Sequence, residues 1–349
     1  MQASAVDMIY IVLNWNKPDL TLQCVSQLLR YESSASVLVV DNGSATVERE
    51  RLTKRLADSG FTTVDEGTPY PNGHGTSERV LLLLRLKRNY GYAVGNNHAL
   101  ELCKGLGFNY ATILNNDVLI SSGNSKALAD VLSSDQRVAV VGVDVVQHGR
   151  HINPLAFRDG VLVLCLTKAL YPLFYLLVRF LQFSLIRRAT RNCSAQGVYQ
   201  LGRKEYLSGC YFACSVRALS EVGYFDPGTF LNYEEPILKA RLEARGYTCA
   251  YISSVAVQHR GGETKKDVDQ RELDRYSSES LTHYLQEYRG FGPVRLLAVH
   301  AGDLVWRCLW RPMTVLVKQA LSRLSPLPRD HRAFGHAVAQ PNDPPMEQS

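Results

Sequence analysis

The chain has 349 residues, 46% of them hydrophobic and 21% charged, a composition that excludes a chain disordered over most of its length. The formal charge is only +6, from 39 Lys and Arg against 33 Asp and Glu, and no basic stripe lies on a recognisable nucleic-acid module, so nucleic-acid binding is disfavoured. The opening residues MQASAVDMIYIVLNW lack the basic segment and long apolar run of a signal peptide, which favours a reducing, cytoplasmic location.

Short strands and helices alternate along the first part of the chain. MIYIVLNW and SVLVVDNGS are apolar and rich in β-branched residues, while DLTLQCVSQLLRY between them has helical spacing. The alternation continues with a strand in RVLLLLRLKRN, a loop and helix in GYAVGNNHALELCKGLG, a strand in YATILNNDVLI, a helix at 126–132 and a strand in RVAVVGVDVV. Because parallel strands need such crossovers, the sequence predicts an α/β domain with a Rossmann-like, mostly parallel central sheet flanked by helices.

Polar side chains follow four of the predicted strands. They are Asn14 and Asn16, Asp41, Asn89, and the triplet Asn115, Asn116 and Asp117. Ligands of open α/β sheets bind beyond the carboxyl ends of the strands, so we expect these residues to converge on one site. For Asp117 two interpretations remain open: a strand-end cap, or a ligand of a divalent cation whose coordination is completed by a diphosphate.

The stretch NYGYAVGNN is rich in glycine and asparagine. Gly91 and Gly95 allow close approach of a ligand to the backbone, and Asn89, Asn96 and Asn97 offer hydrogen-bond donors and acceptors. The spacing differs from the dinucleotide fingerprint G-x-G-x-x-G, and no phosphate-binding P-loop is present. A glycine-rich helix N-terminus without ligand is the alternative interpretation.

Two adjacent acids follow a predicted strand at 206–213. Glu234 and Glu235 are expected to begin a helix, just ahead of Pro236, a residue that the first turn tolerates. The helix dipole gives a structural reason for carboxylates here. The functional interpretation is a general base that removes the proton from a sugar hydroxyl.

A single histidine, His259, ends the strand predicted in CAYISSVAVQH and precedes two glycines. A lone histidine is most often structural. Its place after a strand, at the edge where ligands gather, also suits a metal ligand or a phosphate contact.

Two regions are apolar enough to suggest membrane contact. Residues 155–191 form an insert that charged residues and Pro172 divide, so no part is long enough to span a bilayer; helices in the membrane interface and a buried helical hairpin are equal alternatives. The C-terminal helical region, 266–325, places Trp306 and Trp310 four residues apart beside Arg307 and Arg311, as in interfacial helices or in a helix packed on the catalytic domain. The polar, proline-rich tail at 326–349 is predicted to be disordered.

Taken in order, these stretches resemble the family 2 glycosyltransferases of the GT-A fold. The resemblance is strongest to bacterial members that build O-antigen, capsule and exopolysaccharide, including the rhamnosyltransferase-like group. It rests on IVLNWN, VVDNGS, NYGYAVGNN, LNNDV, SGCYFACSVRALSEVGYFDPGTFLNYEE, ARGY and VQHRGGET, which span Ile9 to about Thr264. The implied catalytic domain is residues 1–265.

The resemblance implies a role for each candidate residue. Asp117 would bind a divalent cation, Mg²⁺ or Mn²⁺, that bridges the donor diphosphate, with help from His259. Glu235 aligns with the base of the family's Glu-Asp motif, although Glu in place of Asp leaves the choice between Glu234 and Glu235 open. The nucleotide-sugar would be held by Asn14, Asn16, Asp41, Asn89, Gly91, Asn96, Asn97, Asn115 and Asn116. Asn115 stands where D-x-D members have their first Asp, so Asp117 would act without a second carboxylate.

The expected activity is transfer of a sugar, with inversion at the anomeric carbon, from a nucleotide-diphospho-sugar of UDP or dTDP type to a saccharide acceptor. The acceptor is expected to be polyprenyl-diphosphate-linked, with the enzyme peripheral on the inner face of the cell membrane. A nucleotidyltransferase is the nearest alternative, but NWNKPDL lacks the Gly-rich, Lys- or Arg-bearing loop that it needs after the first strand. The second alternative is a catalytically silent protein, either sugar-binding or a scaffold, of a polysaccharide assembly complex.

Overall fold

The computed structural model describes residues 7–68, 79–156, 180–181, 183–189, 197–313 and 316. The strands are β1 (Met8–Asn14), β2 (Ser36–Asp41), β3 (Thr62–Asp65), β4 (Leu81–Arg85), β5 (Tyr110–Asn115), β6 (Val118–Leu119), β7 (Val138–Gln147), β8 (Arg150–His151), β9 (Leu155–Ala156), β10 (Val198–Gln200), β11 (Glu205–Tyr206), β12 (Tyr211–Ser215) and β13 (Thr248–His259). The α-helices are α1 (Pro18–Tyr31), α2 (Thr46–Ala57), α3 (Gly91–Gly105), α4 (Ser125–Ser134), α5 (Val216–Glu221), α6 (Glu234–Ala244), α7 (Gln270–His283) and α8 (Pro293–Val305). A 3₁₀ turn (Thr264–Asp267) precedes α7, and π-helical turns follow α7 (Tyr284–Tyr288) and α8 (Trp306–Trp310).

The central sheet runs in the order β10-β13-β7-β12-β5-β1-β2-β4-β3, with β6 and β8 paired at its margin to β13 and β7. Neighbours are parallel from β5 through β1, β2 and β4 to β3, and β7 is parallel to β13. Strand β12 lies between these two groups and is antiparallel to both. The fold is therefore α/β with a mostly parallel sheet flanked by helices, which confirms the prediction.

The alternation of side chains along β1 explains the two cores. Ile9 and Ile11 point to the face covered by α3, while Tyr10 and Val12 point to the face covered by α1. Both faces are covered, so the whole strand is apolar apart from its last residue, Asn14. Packing of both faces thus fixes the strand and brings its polar end to the sheet edge.

Two predicted strands are divided in the structure. YATILNNDVLI contains β5, a turn at Asn116 and Asp117, and then β6, which leaves β5 and pairs with the end of β13. The predicted strand at 206–213 is divided into β11, which forms a small sheet with β9, and β12 in the central sheet. In both places a polar or glycine-containing turn ends one strand, and the strand after the turn pairs with a different neighbour.

The C-terminal helices pack on the rest of the fold through a third apolar cluster. Leu296 and Val299 of α8 and Leu281 of α7 form one buried cluster with Ile237 of α6. Most of the predicted insert 155–191, namely 157–179, 182 and 190–191, lies outside the described residues, as does the predicted tail 326–349. Within the part of the chain that the structure describes, no helix is both long enough and apolar enough to cross a membrane.

Candidate active site

A buried polar network joins the carboxyl ends of β1, β2 and β5. The Nδ2 amide of Asn14 donates to Oδ1 of Asp41 at 3.0 Å, and Oδ1 of Asn14 accepts from the Thr21 hydroxyl at 2.7 Å. Thr21 in turn accepts from Nδ2 of Asn116 at 3.0 Å. Arg49 donates its Nε–H to the other oxygen of Asp41 at 2.8 Å, so this fully buried carboxylate is paired and hydrogen-bonded. The predicted convergence of these strand ends is observed.

The glycine and asparagine stretch forms a second network. Asn42 donates from Nδ2 to Oδ1 of Asn89 at 3.1 Å and to the Gly91 carbonyl at 2.9 Å. Gly91 has φ +81°, and a Cβ there would lie 2.5 Å from the Phe230 carbonyl oxygen. The glycine is therefore required for close approach of the 225–230 loop to the N-terminus of α3.

Three other predicted site residues make contacts within the protein. Asn97 donates to the Phe225 carbonyl and accepts from its N–H, both at 2.9 Å, and Asn96 donates to the Tyr92 carbonyl. The side chain of Asn16 accepts from the N–H of Ala45 at 2.7 Å. These amides hold the loops around the site in place, and their predicted contact with the nucleotide-sugar stays a prediction.

A central cavity of about 400 Å³ opens at this edge of the sheet. Four predicted residues line it: Asn89, Gly91, Asn115 and Asn116. Its other walls come from Trp15 after β1, from the 225–230 loop and from α7, where Tyr276 stacks on Phe230 with ring centroids 4.2 Å apart. Its volume lies within the usual range for small-molecule sites, roughly 300 to 1,000 Å³.

Asp117 and His259 lie side by side beyond this cavity. β6 pairs antiparallel with the end of β13, with His259 opposite Val118, and the ladder continues when the Arg260 N–H donates to the Asp117 carbonyl at 3.1 Å. Oδ1 of Asp117 is 3.0 Å from Nε2 of His259. The two atoms form an ion pair between two largely buried side chains.

The electrostatics of the pair favour its charged form. Burial acts to lower the pKa of His259, but the Asp117 carboxylate and the Cys210 thiol outweigh it and raise that pKa to about 10. For Asp117, burial acts to raise the pKa, and His259 together with the backbone N–H of Glu263 lowers it below the usual value. Without a bound cation, each side chain stabilises the charge of the other.

Glu234 and Glu235 begin α6 as predicted, and they differ in environment. Glu234 is 3% exposed, whereas Glu235 is partly exposed and accepts the Gly209 N–H at Oε1, 2.8 Å away. The Tyr92 hydroxyl, at the cavity wall, donates to the Gly209 carbonyl at 2.6 Å. Burial, followed by the charges of Glu235 and Glu234, raises the pKa of Tyr92 well above its usual value, which places both carboxylates within electrostatic reach of that wall.

The chain before this helix is strained. Asn232 and Tyr233 have φ of +71° and +70°, a left-handed conformation that costs about 1–3 kcal/mol for a residue other than glycine. The Tyr233 ring stacks on Tyr284, with centroids 5.6 Å apart. Contacts with the C-terminal helices therefore help to hold the entry to the acidic pair in this conformation.

Sequence reasoning missed the apolar walls of the cavity. Trp15 lies between two predicted residues and could have been found from its place at a strand end. Phe230 lies between α5 and α6, where no periodic pattern indicates which side chains face a cavity. Leu273 and Tyr276 lie beyond residue 265 in the region assigned to a C-terminal extension, and nothing local indicates that α7 borders the cavity.

The fold and the clustered polar strand ends are those of an α/β enzyme that binds its ligand beyond the carboxyl ends of the parallel strands. The family model described as Glycosyl transferase family 2 matches residues 10–207, more than half of the chain, and the chain belongs to this family. This confirms the expected family, fold and enzyme class. No curated protein gave a significant match.

Two solved glycosyltransferase structures are similar to the chain at low sequence identity. GalNAc-T7, solved with UDP, GalNAc and Mn²⁺, shares 12% identity with a TM-score of 0.51 over 82% of this chain and 57% of its own. The mannosyltransferase PcManGT from Pyrobaculum calidifontis, solved with GDP-Man and Mn²⁺, shares 14% identity with a TM-score of 0.48 over 91% of this chain and 75% of its own. At 12% identity the likeness to GalNAc-T7 is one of fold.

Proposed function

We propose that the chain is an inverting, metal-dependent glycosyltransferase of cell-surface polysaccharide synthesis, of the O-antigen or capsule type. It transfers a sugar from a UDP or dTDP donor to a saccharide linked to polyprenyl diphosphate, at the cytoplasmic face of the inner membrane. The observation that carries this proposal is the pairing of Asp117 with His259 beside a cavity lined by amides and aromatic rings.

Asp117 and His259 are suited to hold Mg²⁺ or Mn²⁺. They present a carboxylate oxygen and a ring nitrogen 3.0 Å apart, a spacing at which one bound cation can contact both. The described residues contain no group of three His, Cys, Asp or Glu side chains that could hold a metal, so diphosphate oxygens would supply further ligands. Imidazole is a poor ligand for Mg²⁺, which favours Mn²⁺. When bound, the cation would offset the negative charge of the departing nucleoside diphosphate.

The central cavity would hold the donor. Its amides, Asn42, Asn89, Asn115 and Asn116, provide donors and acceptors for a nucleotide and a sugar, and Trp15 provides an aromatic face. Asp41 and Asn14 lie behind this wall in the buried network that orients Asn116. GalNAc-T7, which shares the fold, was solved with UDP and Mn²⁺, a donor nucleotide and a cation of the class proposed here.

Glu235 is the better candidate for the base. A sugar hydroxyl has a pKa far above 7 and needs a carboxylate within hydrogen-bond reach to take its proton. Glu235 is the more exposed of the two acids, and the Gly209 N–H fixes the position of its Oε1. Inversion requires the metal and the base on opposite sides of the anomeric carbon, which suits one residue from the turn before β6 and one from α6.

An exposed apolar stripe supports contact with the membrane. Its members are Val294, Leu297, Leu304, Leu309, Met313 and Leu316. The steps between them are of three, four or seven residues, apart from the step of five from Leu304 to Leu309, which ends inside the π-helical turn. Because a π turn takes up one extra residue, a step of five there corresponds to a step of four in an α-helix. Such a stripe suits insertion into the membrane interface.

The same helix lies close to the proposed base. Leu296 and Val299 of α8 belong to the same buried apolar cluster as Ile237, two residues after Glu235. Exposed Phe180, Leu181 and Phe183 in the predicted insert add a second apolar patch, followed by Arg187 and Arg188.

The donor site is tested by thermal stability with a panel of nucleotides and nucleotide-sugars, with and without Mn²⁺. We expect stabilisation by UDP or dTDP compounds that requires Mn²⁺ in the wild type and is lost in Asp117→Ala. Asp130→Ala, which removes an exposed carboxylate paired with Lys126, is the matched control and should respond like the wild type. An equal response in Asp117→Ala and wild type would remove Asp117 from the metal site.

A further inference from the structure

Two clefts continue from the central cavity along α7. The first, which we call the middle cleft, has a volume of about 460 Å³ and shares Leu231 and Leu273 with the central cavity. The second, which we call the arginine groove, has a volume of about 580 Å³ and shares Gln270 and Asp274 with the middle cleft. One helix thus borders three spaces that follow one another from the cavity to the C-terminal helix.

Three arginines line the groove. Arg311 donates to Oδ2 of Asp274 at 2.6 Å, and Arg307 donates to the Asp274 carbonyl at 3.2 Å and pairs with Asp303 at 2.6 Å. The Arg271 guanidinium makes no hydrogen bond or ion pair with another described residue. Arg307 and Arg311 are offset by Asp303 and Asp274, whereas the Arg271 guanidinium is available for a ligand.

The far end of the groove is apolar. Pro312 and Leu316 line it, and Leu316 is also a member of the exposed apolar stripe. A ligand that fits this surface has an anionic group for the arginines and a hydrocarbon chain for the stripe. Guanidinium groups bind phosphate oxygens with two parallel hydrogen bonds, which favours phosphate as the anionic group.

We propose that the arginine groove binds the diphosphate of a polyprenyl-diphosphate-linked acceptor, whose prenyl chain lies on the apolar stripe and whose saccharide extends through the middle cleft toward Glu235. This assignment rests on the proposed function. The order of the three spaces supports it, because the saccharide needs a path from the diphosphate to the site of transfer. Asn232, two residues before the acidic pair, lines the middle cleft.

The test measures binding of farnesyl diphosphate to the full chain by calorimetry in EDTA, so that no metal can hold the diphosphate at Asp117. We expect the wild type to bind farnesyl diphosphate at least about tenfold more tightly than farnesol or inorganic pyrophosphate. Arg271→Gln should weaken binding about tenfold, the usual effect of losing a hydrogen bond between charged groups. Arg307→Gln should act in the same direction. Arg295→Gln, which removes an exposed cation of α8 outside the groove, should bind within twofold of the wild type.

Three results would overturn the proposal: Arg271→Gln binding as tightly as the wild type, an equal loss in Arg295→Gln, or farnesol binding as tightly as the diphosphate. A second arm measures sedimentation with phosphatidylcholine vesicles containing phosphatidylglycerol. Arg271→Gln should sediment like the wild type. If it loses vesicle binding and keeps its affinity for farnesyl diphosphate, the groove binds lipid headgroups and the assignment is wrong.

The experiments distinguish an error in the assignment of the arginine groove from an error in the proposed function. Arg271→Gln should keep the Mn²⁺-dependent stabilisation by a nucleotide-sugar, because Arg271 does not line the central cavity. If that stabilisation is present in the wild type and farnesyl diphosphate binding does not depend on Arg271, only the groove assignment fails. If the wild type binds farnesyl diphosphate through Arg271 but no nucleotide-sugar, the donor proposal fails and the groove stands.

Discussion

Oδ1 of Asp117 lies 3.0 Å from Nε2 of His259 because a two-residue strand, β6, pairs with the last residues of β13. The carboxylate precedes β6 directly, and the imidazole is the last side chain of β13. Strand pairing therefore builds the candidate metal site, because backbone hydrogen bonds between β6 and β13 place both side chains.

The first prediction concerns the imidazole. His259→Gln keeps a polar side chain but removes the ring nitrogens, so the Mn²⁺ concentration needed for half-maximal activity should rise about tenfold or more. A Mn²⁺ titration of sugar transfer at saturating donor measures this change. His151→Gln is the control, since His151 is an exposed histidine paired with Asp144 and should leave the titration unchanged. Wild-type Mn²⁺ dependence in His259→Gln would contradict the assignment of this ligand.

The second prediction concerns the carboxylate of Glu235. A Cβ on Gly209 would lie 2.6 Å from its Oε1, so Gly209→Ala must displace the acid. The displaced atom ends a flexible side chain, and we expect little loss of thermal stability. Misplacement of a base by about 1 Å can lower kcat about 100-fold, so kcat should fall between about 10- and 100-fold while donor binding persists. Gly105→Ala, which adds a Cβ in open space at the end of α3, is the control. Unchanged kcat in Gly209→Ala would exclude Glu235 as the base.

The strand ends show how far the sequence predicts the site. Asn14, Asp41 and Asn116 were expected to converge because each ends an apolar run, and parallel strands bring such ends to one edge. That signal is local, since it needs only the position of a polar residue relative to its own strand. The positions of these polar residues predict the sheet edge and the amides that lie there, but they do not predict which side chains face the cavity.

The rest of the site depends on contacts between distant segments. β6 is too short to have a recognisable pattern, and its pairing with β13 was set by the partner strand. Tyr276 lies on an amphipathic helix whose apolar face could cover any surface, and only its stacking on Phe230 places it at the cavity. The antiparallel insertion of β12 into the sheet was likewise decided by tertiary pairing.

The third prediction concerns Asp226, which ties the 225–230 loop to the C-terminal helices. Its carboxylate accepts from the Tyr288 hydroxyl, from His283 at 3.1 Å and from the Gly228 N–H at 2.7 Å. Burial acts to raise its pKa, but these hydrogen bonds lower it below the usual value. Asp226→Asn should therefore reduce the free energy of unfolding at pH 7 by about 2 kcal/mol.

The sign of the pH effect follows from that lowered pKa. The contribution of Asp226 is complete above its unfolded-state pKa, about 3.9, and is lost as the pH falls through the lower folded-state value. Urea unfolding of wild type and Asp226→Asn should thus differ most near neutral pH and converge as the pH falls below about 4. Asp19→Asn, in an exposed pair with Arg51, should change the free energy of unfolding by less than about 1 kcal/mol. A constant difference between wild type and Asp226→Asn at every pH would show that ionisation of Asp226 plays no part.

The last prediction concerns the exposed apolar stripe. Leu304 and Leu309 are 62% and 50% exposed, so glutamate at both positions should not disturb the fold but should oppose insertion into an anionic interface. In flotation with phosphatidylcholine and phosphatidylglycerol vesicles, the bound-to-free ratio of Leu304→Glu/Leu309→Glu should fall at least about tenfold, since each buried leucine contributes about 1.5–3 kcal/mol. Val47→Glu, on the exposed face of α2, should float like the wild type. If the wild type does not float with these vesicles while a known interfacial protein does, the proposed membrane association is wrong.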